Sequence, residues 1–133
     1  MELSRIKELK EQIEEKEAQI EALRGALSAV SIPTLDGLPK AKSPLSSKIE
    51  RLTAQIIDSE RELENLRGEL IEVSIKLPEE ILERVKGRAA QVLIKRYCYG
   101  ESYKEIAITL KYSLSQIFNL HRQGKKQFIE WEQ

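Results

Sequence analysis

Ser115, Asn119, Arg122 and Lys126 recur at three- and four-residue spacing late in a chain of 133 residues. On a helix turning 100° per residue they share one stripe. All four are hydrogen-bonding or cationic, and no carboxylate interrupts them. Asn can bond adenine through two contacts, Arg can bond guanine, and Lys neutralises phosphate. That set suits a helix entering the major groove of duplex DNA, whereas an ordinary solvated face usually carries Glu or Asp as well. On the opposite side Ile117, Leu120, Gly124 and Phe128 fall within roughly 80° of arc and must face other helices. Gly124 costs a helix interior about 1 kcal/mol relative to alanine, so close helix approach is its expected justification. Phe118 lies on the flank, where it either meets a thymine methyl or packs on a neighbouring helix. His121 projects toward the core edge as a packing or backbone-bonded residue, and Trp131 is expected to seal the helix end.

Other chemistry is missing from the sequence. Cys98 is the single cysteine, so no internal disulfide forms, and between two tyrosines it reads as a small buried apolar group. One histidine leaves a zinc site short of ligands. No nucleophile–base pair or phosphate-binding glycine loop is present. No catalytic residue, metal site or cofactor is expected, and the chain is not read as an enzyme.

Two capping boxes position the stripe. Ser102-Tyr103-Lys104-Glu105 opens a short helix with Ile106, Ala107 and Leu110 inward, and Ser113-Leu114-Ser115-Gln116 opens the longer one. Each cap contributes about 1 kcal/mol. Together they prescribe a short helix, a tight turn and a longer helix, the layout of a helix-turn-helix. A preceding helix from Pro78, with Leu82, Val85, Ala89, Val92, Leu93 and Tyr97 inward, is expected to stop at Gly100. Lys104 and Lys111 are the expected phosphate contacts; Ser115, Gln116, Asn119 and Arg122 are the expected base-edge or groove contacts.

The front half is built differently. Ile6, Leu9, Ile13, Ile20, Leu23, Leu27 and Val30 keep a 3–4 spacing broken only by Lys16. Leu45, Ile49, Leu52, Ile56, Leu63, Leu66, Leu70, Val73 and Leu77 keep another, broken only by Ser59. Such seams indicate coiled coil. Three prolines and Asp36-Gly37 interrupt helix across a loop at 31–44, with Ser43 as the next N-cap and Ile32, Leu35 and Leu38 packed somewhere. The second helix then either folds back antiparallel on the first or zips to another chain. Folding back with Ile20 against Leu52 sets Lys16 beside Ile56 and Ser59 beside Ile13. Pro78 predicts a break or sharp kink, and the domain border is placed there: a hairpin over 1–77 and a helix-turn-helix domain over 78–133.

Charge follows the same division. Residues 1–77 carry 12 basic and 15 acidic side chains, residues 78–133 carry 10 and 7, and the whole is neutral. With 33% charged and 5% aromatic residues, long solvent-bathed helices are expected rather than a thick core. No apolar run approaches the roughly 18 residues of a membrane span, and the opening residues are charged rather than signal-like. A cytoplasmic location is expected.

Tyr97, Gly100, Ser102, Glu105-Ile106-Ala107 and Leu110, followed by Tyr112-Ser113, Ile117 and Leu120, resemble region 4 of bacterial sigma factors. Closer still are sigma-like phage regulators of the ArpU and RinA kind and a related group of small prophage proteins. That group is similar over nearly the whole chain, including Asp36-Gly37-Leu38-Pro39, the Lys76-Leu77-Pro78 junction and Ile117-Phe118-Asn119-Leu120-His121. The resemblance implies a phage or prophage transcriptional regulator, an activator of late genes in a Gram-positive host. It also implies that Ser115, Gln116, Phe118, Asn119 and Arg122 face DNA. Lys111 departs from the glycine usual in the turn, and Phe118 and Asn119 replace more polar or basic residues. There is no counterpart of the promoter-melting region of a complete sigma factor.

The expected fold is all-α: a long antiparallel coiled-coil hairpin followed by a sigma-region-4-like helix-turn-helix bundle. The expected partners are double-stranded DNA, a second copy through the coiled-coil helices, and host RNA polymerase, without a membrane. Two alternatives stand beside this reading. One is an adaptor binding RNA polymerase or a phage assembly factor; the other is a small-terminase-like packaging subunit.

Overall fold

The computed structural model describes residues 1–31 and 44–130, and the fold is all-α. Its helices are α1 (Arg5–Ser31), α2 (Pro44–Arg84), α3 (Arg88–Leu93), α4 (Tyr103–Leu110) and α5 (Leu114–Glu130); a π-helical stretch, Ile94–Cys98, continues α3. Ser43, Ile32, Leu35, Leu38 and Trp131 lie outside the described residues. No described helix is long and apolar enough to cross a membrane. The chain divides into two compact units, Lys10–Gly68 and Met1–Leu9 with Glu69–Gln133.

Within Lys10–Gly68, Ile13, Ile20, Leu52, Ile56 and Leu63 are buried, with Ser59 as the buried polar break. Ion pairs cross between the helices in reverse order: Lys16 Nζ to Glu62 Oε2 at 2.5 Å, Arg24 to Glu60, and Arg67 to Glu17 at 3.6 Å. The helices therefore run antiparallel within one chain, but not in the expected register. Lys16 meets Glu62 instead of sitting beside Ile56, an offset of about one heptad. The reason is electrostatic. A lysine held against Ile56 would lose water without gaining a partner, whereas at the seam's edge its ammonium finds a carboxylate.

The other unit joins the first turns of α1 to the last turns of α2 and to α3–α5. Its core holds Leu3, Ile6, Leu9, Val73, Leu77, Ile81, Val85, Ala89, Val92, Leu93, Ile106, Ile117 and Phe128. The expected break at Pro78 does not occur, since α2 runs on to Arg84. A proline inside a helix costs about 3 kcal/mol. Leu77 and Ile81 are fully buried, and at about 1.5–3 kcal/mol each they outweigh that penalty. The border between units also falls earlier than Leu77–Pro78.

The helix expected from Pro78 to Gly100 is interrupted at Gly87, whose φ of 68° and ψ of −141° suit glycine alone. Leu82 does not face inward either; it is 62% exposed. The inner face of α2 continues at four-residue steps through Leu77, Ile81 and Val85, which turns Leu82 about 100° away. Gly100, at φ 70°, ends the helical run as expected. In the π-helical stretch the Tyr99 N–H donates to the Ile94 carbonyl at 3.2 Å. That i→i−5 spacing inserts an extra residue into the turn.

Candidate nucleic-acid interface

Both caps form. The Glu105 N–H donates to Ser102 Oγ at 3.2 Å, which starts α4. At α5 the box is reciprocal: the Gln116 N–H donates to Ser113 Oγ at 3.2 Å, and the Ser113 N–H donates to Gln116 Oε1 at 2.8 Å. Between them Lys111 takes the left-handed conformation, φ 61° and ψ 41°, that glycine adopts more readily. The Tyr112 N–H then reaches back to the Ala107 carbonyl at 3.0 Å and closes the end of α4. Val92, Ile106 and Ile117 are buried together, with Tyr103, Ala107, Leu110, Tyr112 and Leu120 packed around them. This cluster fixes α5 against α3 and α4.

The outer face of α5 is open. Ser115, Gln116, Asn119, Arg122 and Lys126 are exposed, as are Lys104 on α4 and Lys111 in the turn. Ile117, Gly124 and Phe128 are buried behind them. Among the described residues, Lys104, Lys111, Arg122 and Lys125 have no carboxylate within ion-pair distance; Lys126 approaches Glu130 at 3.9 Å. Arg5, Lys16, Arg24, Arg67 and Lys76 on the long helices do have carboxylate partners. Gln116 faces outward, but its carbonyl is engaged by the Ser113 cap, leaving the amide N–H groups as its donors.

Phe118 packs on a neighbouring helix, one of its two expected roles, while part of its ring stays exposed. It is 42% exposed, and its ring meets Tyr103 edge-on at 5.0 Å. Arg96 lies over the Tyr103 ring, 4.4 Å from its centre, and donates to the Glu101 carbonyl at 3.1 Å. His121 is a packing residue with a specific partner: its Nε2 lies 2.7 Å from the Tyr97 hydroxyl, and the rings stack. Burial lowers the imidazole pKa, and the nearby charges of Lys125 and Arg96 add to the shift. Burial also pushes the Cys98 thiol up to about 11, away from the thiolate that nucleophilic chemistry needs.

No group of His, Cys, Asp or Glu among the described residues is arranged to hold a metal ion. An open groove runs along the α1–α2 pair, lined by Glu17, Glu21, Arg24, Glu60, Glu64 and Arg67. Its charges are largely occupied with one another through the Arg24–Glu60 and Arg67–Glu17 pairs. A smaller cleft adjoins the outer face of α5, where Arg88, Tyr112, Gln116, Asn119 and Leu120 come together. Arg88 was missed in the sequence because it stands on another helix and belongs to no motif. No protein-family model, curated protein or solved structure matches the chain.

Proposed function

We propose that the chain binds duplex DNA with α5 in the major groove and regulates transcription as a phage or prophage late-gene activator. One observation carries the DNA-binding part: the outer face of α5 is exposed, cationic and amide-bearing, with Arg122 unpaired, while its opposite face is buried. Asn119 and Arg122 supply the base-edge chemistry, and Lys104 and Lys111 take phosphate. The regulatory role rests on the sigma-region-4 resemblance of residues 97–122.

A single small module offers limited affinity, so the proposal includes a homodimer with two α5 helices about one helical turn of DNA apart. Ile13, Ile20, Leu52, Ile56 and Leu63 are buried inside one chain. A second copy would therefore use the outer faces of the long helices. The adaptor alternative draws on Ile71, Ile75 and Leu82 of α2, which are all more than 60% exposed.

The test is selection of bound duplexes from a random pool, followed by fluorescence anisotropy. Asn119→Ala and Arg122→Ala should each cost about 1–3 kcal/mol on the selected duplex and much less on random DNA. With about five phosphates neutralised, log K should fall with log salt at a slope of about −4 to −5. A flat salt response would defeat the reading. Binding without sequence preference would favour the adaptor.

A further inference from the structure

A helix in the major groove has a sugar–phosphate strand on either side, and phosphate contacts on both flanks hold it in register. On α5 the two flanks differ. One is marked by Phe118, whose ring meets Tyr103 of α4; exposed Lys104 follows Tyr103 directly. The other flank carries Gln116, Asn119 and Leu120, which supply amides and an apolar group but no charge. Arg88 comes to this second flank from α3, and with Tyr112 completes an open cleft of about 260 Å³. Arg88 is exposed. Its Nη1 donates to Gln91 Oε1 at 3.0 Å, and no carboxylate pairs with it among the described residues.

Resting on the DNA-binding reading above, we propose that Arg88 and Tyr112 form a phosphodiester site for the DNA strand opposite the one reached by Lys104. The guanidinium fork and the phenol hydroxyl both bond phosphate oxygens. Neither reads a base there, and their work is to hold α5 in the groove so that Asn119 and Arg122 meet base edges. The neighbouring glutamine and asparagine carry no charge, so no carboxylate among the described residues lines the cleft to oppose an entering anion.

The full chain is titrated against two fluorescein-labelled duplexes, one of random sequence and one recovered by pool selection, over a range of salt. Arg88→Gln should weaken both duplexes by the same factor, roughly 5- to 10-fold near 0.1 M salt, and reduce the salt slope by about 1. Tyr112→Phe should weaken both by a smaller factor with the slope unchanged, because a neutral donor releases no counterion. Far-UV circular dichroism checks that each variant is folded.

An unchanged slope for Arg88→Gln, with a steep slope for the unmodified chain, would overturn the proposal while leaving DNA binding by α5 standing. Loss confined to the selected duplex would also overturn it, by making Arg88 a base reader. A flat slope for the unmodified chain would remove the DNA-binding reading and this site with it.

Discussion

Gly124 offers the sharpest test of how α5 is seated. A Cβ built there would lie 3.0 Å from Leu93 Cγ, 3.1 Å from Leu93 Cδ1 and 3.3 Å from the Ala89 carbonyl oxygen. Helix propensity alone favours alanine at this position by about 1 kcal/mol. The packing term opposes it: Leu93 is fully buried, and the Ala89 oxygen is backbone. Neither yields easily, and overpacking of this kind costs about 1–3 kcal/mol. Gly124→Ala should therefore destabilise by about 1 kcal/mol net, a fall of about 3–5 °C in Tm. Gly124→Val, with more atoms and poorer helix propensity, should cost about 3 kcal/mol. Gly25 and Gly68 are the controls. A Cβ at either would meet no neighbouring group within 4 Å, so alanine at each should stabilise by about 0.5–1 kcal/mol. Thermal melts followed by circular dichroism read all four variants. A gain for Gly124→Ala equal to that for Gly68→Ala would refute the close approach of α5 to α3.

Two further outcomes follow from the same region. Lys111→Gly relieves a left-handed side chain and should leave the fold intact or stabilise it by up to about 1 kcal/mol. The same change should lower the DNA salt slope by about 1, so a stabilised variant with an unchanged slope would remove Lys111 from the phosphate contacts. His121 titrates below its ordinary 6.5 because its charged form is disfavoured by burial and by Lys125 and Arg96. The unfolded chain then binds a proton that the folded chain resists. This contribution to stability is full above 6.5 and is lost as pH falls toward the folded-state pKa. As the sole histidine, its ring gives an unambiguous proton NMR titration, and a midpoint at or above 6.5 would contradict the packing described for it.

Much of the candidate interface was legible because it rests on local chemistry. Ser102 and Ser113 announce helix starts through bonds spanning three residues, and both bonds are present. The stripe of Ser115, Asn119, Arg122 and Lys126 follows from helical periodicity alone, as does the buried row of Ile117, Gly124 and Phe128. Pro78 misled for the complementary reason. Its local penalty is real, but burial of Leu77 and Ile81 on either side of it outweighs the penalty, and neither burial is written in the dipeptide. Leu82 and Ile81 are equally apolar; only the direction of α2's inner face separates them.

The amino-acid order by itself determined where α4 and α5 begin, which residues of α5 share a face and where charge of one sign accumulates, because these depend on neighbours a few positions apart. Tertiary structure alone decided that Lys16 pairs with Glu62, that Gly87 divides the helix expected to continue from Pro78, and that Arg88 stands beside Gln116 and Asn119. Those outcomes depend on which distant surfaces meet. The free energy that selects among such meetings comes from burial and charge pairing shared across the fold, which no short stretch of chain contains.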